Sequence, residues 1–234
     1  MLQPQSYPEF VAKALVLDSE PFEAMVDDDN PWIEGLVFVV ALSFLAGIAR
    51  ALGGLLTAAT LPAPEATLSA AIQGWQQLAS LVALPVAQGE AVLRSAWELA
   101  ALSSGYTGGW SHLLPIITLP LLMLLWWVFF SLVAHGVARA MGGSGTLNAT
   151  MGASALIAAP MVFLVLTIVP FASPSGAMLL IWGVLIAYRA VHIAHDLSWQ
   201  NAAKTTLIVY AVALLAGTLL ALMFTFGYSM GGYR

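Results

Sequence analysis

Formal charges interrupt this chain at wide intervals, with long apolar runs between them. Residues 99–138, 140–188 and 205–233 contain no Lys, Arg, Asp or Glu. A charge at the centre of a spanning helix costs about 2.5–3.5 kcal/mol on insertion scales, so uncharged stretches mark candidate spans, and about 20 apolar residues suffice for each. The run 140–188 is long enough for two helices joined by a turn at Pro170-Phe171-Ala172-Ser173-Pro174-Ser175-Gly176, and the other two runs hold one each. A fifth, from about Trp32 to Ala59, is interrupted beyond Glu34 at its start only by Arg50. The pattern predicts helices at about 32–59, 113–138, 151–171, 177–195 and 203–227. Asn30, Pro31 and Glu34 suit the start of the first, Ser198 can cap the last, and Gly142-Gly143-Ser144-Gly145 links the second and third.

Two further segments are amphipathic rather than spanning. Residues 1–31 lack the basic start and apolar core of a secretory signal. Within them Phe10, Val11, Ala14 and Leu15 form one apolar stripe and Phe22, Met25 and Val26 a second, broken near Asp18-Ser19-Glu20-Pro21. One lysine against seven acids up to Asp29 suits an arm packed along the bundle better than a binder of anionic headgroups. In residues 62–112, Leu68, Ile72, Trp75, Ala79 and Val82, then Val92, Ala96 and Leu99, recur at helical spacing, with Pro85 and Gly89 between the halves. Gln73, Gln76 and Gln77 make the first half polar for a span, which favours two interfacial helices over a sixth span at 66–84. The tail, 228–234, is short.

Composition agrees with this pattern. The chain has 234 residues, 60% apolar and 8% charged, with a mean hydropathy of +0.89, whereas soluble domains carry roughly 25% charged residues. The net charge of −5 is unlike the basic stripe of a nucleic-acid binder. The absence of cysteine excludes disulfides and thiol chemistry. With the N-terminus cytoplasmic, Lys13, Arg139, Arg189 and Lys204 fall inside and Arg94 and Arg234 outside, in line with the positive-inside rule. Trp32 and Trp199 then anchor the inner ends, and Trp110 and Trp182 the outer.

Candidate chemistry is sparse. His192 and His195 share a helix face, and His135 is expected at similar depth on the same side, a set from which a metal or haem contact could be built. Imidazoles at helix C-termini also bind terminal carbonyls, and no acid stands at metal-motif spacing. Arg50 is the formal charge well inside an apolar segment, where ions mark substrate paths or pairs, although an arginine there can also snorkel. Small residues recur at packing spacing: Ala155 and Ala159 on the third span, Gly183, Ala187 and Val191 on the fourth, and Ala213, Gly217 and Ala221 on the fifth. Such rows seal a bundle or meet another protein's helices. No G-x-S-x-G, H-E-x-x-H, P-loop or paired membrane carboxylates occur, so enzymatic activity is not expected.

Three stretches carry a resemblance. Pro21-Phe22-Glu23-Ala24-Met25 leads through an acidic patch into the first span. His135-Gly136-Val137-Ala138-Arg139-Ala140-Met141-Gly142-Gly143-Ser144-Gly145-Thr146 precedes a third span bearing Pro160. His195-Asp196-Leu197-Ser198 is followed by Ala202. Together these resemble the Yip1 domain family, small five-span membrane proteins with a cytoplasmic N-terminal segment, and the likeness extends over most of residues 19–227. Asn201 stands where members often have a basic residue, and segment 62–112 is more elaborate than the family pattern. The family's eukaryotic members act in vesicle trafficking and contact small GTPases of the Rab type. This chain looks more like the bacterial members, and no trafficking residue matches its N-terminus, so small-GTPase binding is not expected.

The chain is therefore expected to be an all-α, five-span polytopic bundle with amphipathic helices on both sides, in a bacterial cytoplasmic membrane. Its expected role is that of a non-enzymatic scaffold or accessory subunit, with lipid and other membrane subunits as partners and neither cofactor nor nucleic acid. The alternative from a different class is a small transporter or channel using Arg50 and the kinked spans, with Pro115, Pro120 and Pro160 as breaks. A third, a cofactor-binding subunit using the histidines, predicts colour or bound metal in the purified protein.

Overall fold

A computed structural model describes residues 4–60, 62–82, 85–104, 109–169 and 172–231. Pro170 and Phe171 of the expected turn, and Arg234 with the end of the tail, lie outside the described residues. Nine α-helices and no strand occur among the described residues. They are α1 (Tyr7–Leu15), α2 (Glu20–Val26), α3 (Pro31–Thr60), α4 (Pro64–Val82), α5 (Val86–Ser104), α6 (Leu114–Ala140), α7 (Leu147–Ser154), α8 (Gly176–His195) and α9 (Trp199–Gly231). Five helical stretches are long and apolar enough to cross a membrane: Pro31–Thr60, Trp110–Ala140, Leu147–Ile168, Gly176–His195 and Trp199–Met223. This is an all-α helical bundle.

The third span departs from a plain α-helix. After α7 it continues as a 3-10 helix over Ala155–Ile168. Such helices seldom exceed 3–4 residues, and here Pro160 removes a backbone donor in the middle of the run. At roughly 2.0 Å per residue the thinner helix covers more depth per residue than an α-helix does. It also turns the sequence pattern: residues three apart, not four, now share a face. Ala155 and Ala159 consequently form no single row, and both are buried because Ala155 through Ala159 are enclosed on all sides.

The chain divides into two compact units, one of Met1–Val39, Leu124–Pro160 and Leu180–Arg234, the other of Val40–Met123 and Met161–Leu179. In the first unit the N-terminal arm is part of the core. Phe22 and Met25 of α2 are fully buried, Phe10, Val11 and Ala14 of α1 are buried as well, and α2 packs on α7. Gly152 permits that approach, since a β-carbon there would sit 2.5 Å from the Met25 carbonyl. Polar ties fix the arm along its length. Tyr7 donates to Glu34 Oε1 at 2.6 Å and meets Phe38 edge-on. Burial, reinforced by the Glu34 carboxylate, pushes the Tyr7 hydroxyl well above its usual range, so it remains a donor. Trp182 Nε1 donates to the Leu15 carbonyl at 2.8 Å, so this tryptophan ties the arm to α8 and is not simply the outer-end anchor the sequence suggested. At the turn between α1 and α2, Lys13 bridges Glu9 (2.7 Å) and Glu20 (2.6 Å).

Aromatic and hydroxyl contacts hold the rest of this unit. Trp127 donates to the Met151 carbonyl at 2.9 Å, Ser131 and Ser154 share a buried hydrogen bond of 2.7 Å, and Tyr210 packs against Trp126 and Phe130. The start of α3 is served from outside the helix, with the Trp32 N–H donating to Asn148 Oδ1 at 3.1 Å.

In the second unit α4 and α5 pair as a hairpin. Trp75 Nε1 donates to the Val86 carbonyl at 3.1 Å, and the ring lies where a side chain at Gly89 would be. Arg94 and Glu90 pair at 2.8 Å, and that contact holds the Glu90 carboxyl below its usual range.

Candidate functional site: the junction of the second, third, fourth and fifth spans

The densest polar cluster forms where α6 ends, α7 begins and α8 turns into α9. The local sequence dictates each piece. α6 stops at Ala140 because Gly142, at φ +91°, adopts a left-handed conformation that glycine takes at little cost. α7 starts because the Thr146 side chain accepts from the Ala149 N–H at 3.1 Å, an N-cap. α8 ends in a Schellman turn: the Leu197 N–H reaches back to the His192 carbonyl (3.2 Å) and the Asp196 N–H to that of Ile193 (3.4 Å). Asp196 holds the left-handed position at φ 49°, a place Asp tolerates better than most side chains.

Four hydrogen bonds, from three residues, lock these ends together. The Ser144 N–H donates to the His195 carbonyl at 3.1 Å. Arg139 reaches the carbonyls of Gly143 (3.2 Å) and Ser144 (3.3 Å). Asn201 donates its side-chain amide to the Met141 carbonyl at 3.4 Å. Asn201 thereby ties α9 to the link between α6 and α7.

The histidines divide. His135 and His195 come together, ring centroids 5.3 Å apart, around a hydroxyl that the sequence reading did not single out. Thr150 donates to the Thr146 carbonyl at 2.8 Å, so it accepts from His195 Nε2 at 2.8 Å, with His135 Nδ1 at 3.5 Å. His195 is thereby fixed with its proton on Nε2, and its buried Nδ1 has no hydrogen-bond partner. His192 points elsewhere: its Nδ1 donates to the Leu197 carbonyl at 2.5 Å and its ring stacks on Tyr188. Among the described residues no group of three or more His, Asp or Glu is placed to hold a metal ion. What the cluster does chemically is join helices through one hydroxyl. Replacing Thr150 with valine keeps the shape and removes that hub, leaving a buried imidazole unsatisfied. The expected loss is about 1–3 kcal/mol, read as a lower thermal midpoint of the purified protein; an unchanged midpoint would refute it.

The small-residue rows also divide. On α8, Gly183, Ala187 and Val191 are buried, and a β-carbon at Gly183 would touch the Tyr210 hydroxyl at 3.7 Å and Ile157 at 4.0 Å. On α9, Gly217 and Ala221 are exposed and Ala213 half-exposed, with open space around Gly217. Arg50 lines a small cavity in the second unit. Arg189, in α8, is half-buried with its Nε unpartnered, a cation that the sequence reading placed at the inner boundary.

Five long apolar helices, an apolar exterior and helix ends tied by polar junctions define a multi-pass integral membrane protein in contact with lipid. The chain belongs to the Yip1 domain family, whose model matches residues 14–222. No curated protein and no solved structure matches it.

Proposed function

We propose that this protein is a non-enzymatic scaffold or accessory subunit of a larger membrane assembly, residing in a bacterial cytoplasmic membrane with its N-terminus inside and C-terminus outside. One observation carries the reading. From Ala211 to Met223 no residue of α9 is buried, and Leu214, Leu215, Leu219, Leu220 and Met223 stand out on several faces. Within that stretch runs the row Ala213, Gly217, Ala221. In lipid, apolar side chains gain little by leaving one apolar medium for another, so helices associate by close packing, which small residues permit. The α8 row is consumed inside the chain and the α9 row is presented outward, the arrangement a helix needs to receive a partner span.

The test is the native mass and subunit composition of the protein extracted gently from its own membrane, compared with the Ala213→Leu/Gly217→Leu/Ala221→Leu variant. The wild type is expected to travel with other membrane subunits in fixed stoichiometry, and the variant to fold but lose them by an order of magnitude. A wild-type monomer, or an assembly indifferent to the three leucines, would overturn the reading.

A further inference from the structure

We propose that Arg50 is the centre of a binding site for a phosphate-type anion, independent of the scaffold role. Arg50 lies on α3 about 28 Å along the axis from Pro31 at 1.5 Å per residue. A bilayer's hydrocarbon core is about 30 Å thick. With Trp32 exposed at the start of α3, this places the guanidinium near the level of the phosphates of the far leaflet.

The surroundings are those of a receptor for negative charge. Arg50 makes no ion pair or hydrogen bond with any described residue, so its guanidinium is left for a partner from outside the chain. It lines a cavity of about 230 Å³ together with Gly53, Gly54, Thr57, Thr167 and Ser173. Among those residues there is no carboxylate. The Thr57 hydroxyl, like the guanidinium, is uncommitted among the described residues. Thr167 donates to the Leu164 carbonyl at 2.6 Å, so its oxygen is already oriented. Gly53 is fixed by packing, because a β-carbon there would fall on the Thr167 carbonyl. The Ser173 hydroxyl likewise donates to the Pro174 carbonyl, at 3.4 Å, so the cavity has the Thr167 backbone on one side and two uncommitted donors, Arg50 and Thr57, on the other. It is below the roughly 300–1,000 Å³ of drug-sized sites and suits a single phosphate group. Arginine presents a planar fork that matches phosphate oxygens bidentately. At this depth the nearest supply is the phosphodiester of an anionic phospholipid; inorganic phosphate from solution offers the same chemistry.

Two probes separate the sources. Full-length protein is reconstituted in phosphatidylcholine vesicles containing one part in five phosphatidylglycerol, then extracted, and retained phosphatidylglycerol is counted by native mass spectrometry. In parallel, inorganic phosphate is titrated into protein in maltoside detergent and followed by phosphorus NMR linewidth. Wild-type protein is expected to retain phosphatidylglycerol at least fivefold more than Arg50→Gln, with Arg50→Lys between them. Phosphate binding that Arg50→Gln abolishes, without lipid retention, supports the site with the soluble source. Equal behaviour of wild type and a folded Arg50→Gln on both probes overturns the proposal. Should Arg50→Gln fail to fold, Ala172→Trp decides: Ala172 also lines the cavity, so filling it must remove retention and phosphate binding while Arg50 stays, and undiminished binding in that variant overturns the site.

Discussion

Alanine at position 145 is expected to destabilise the protein by about 3 kcal/mol, the upper end for overpacking, although it adds a single methyl. The new β-carbon would land on the Ala194 carbonyl and stand 3.0 Å from His195 Nδ1. Both neighbours are fixed. The carbonyl belongs to the last turn of α8, and His195 is held by Thr150. Neither can yield without opening the junction, so the link must lift off and lose the Ser144 bond to the His195 carbonyl. Gly136 and Gly217, with nothing within 4 Å of a would-be β-carbon, are the controls. Alanine there should be neutral or slightly stabilising, since glycine costs a helix roughly 0.5–1 kcal/mol relative to alanine. Thermal unfolding of the three variants in one detergent checks this, and a Gly145→Ala midpoint equal to the controls would show that the link is not seated on α8.

Phe22→Ala is expected to release the N-terminal arm. Phe22 is fully buried, and truncating such a side chain costs about 3–5 kcal/mol. The arm is a short element held by a few contacts: Phe22 and Met25 in the core, the Tyr7 bond to Glu34 and the Trp182 bond to the Leu15 carbonyl. A loss of 3 kcal/mol shifts its local opening more than a hundredfold, at about 1.4 kcal/mol per decade. Hydrogen exchange should therefore quicken by that factor at the amides of α1 and α2 and hardly change in α8. Uniform protection in the variant would show that the arm docks without Phe22. Acceleration spread equally over all spans would show instead that the arm is part of the global folding unit.

The sequence made the spans visible because insertion energetics are local. Arg139, Lys204 and their like sit at span boundaries since each charge inside lipid is expensive, and no tertiary information is needed to see that. The arm's apolar stripes were visible for the same kind of reason, from helical periodicity. The pairing of His135 with His195 through Thr150 was not. A threonine eight residues after a glycine gives no pattern, and its role comes from α7 being laid against the end of α8. Nor could spacing tell that His192, on the same helix face as His195, would turn to the Leu197 carbonyl, because that depends on the Schellman turn placing the carbonyl there.

The rows of small residues show the division most clearly. Gly183-Ala187-Val191 and Ala213-Gly217-Ala221 look alike as sequence, and close packing is open to either. Only the packing of Tyr210 and Ile157 around α8 decided that the first is consumed within the chain while the second faces out. Ala155 and Ala159 met a different fate, because the third span winds as a 3-10 helix and residues four apart no longer share a face. By itself, then, the sequence determined the solvent of this protein, its five long apolar helices and its family, the first two set by transfer energies and periods summed along the chain. Tertiary structure alone decided which small faces stay open, which imidazoles meet and what lies beside Arg50, because those depend on contacts between residues that the chain keeps far apart.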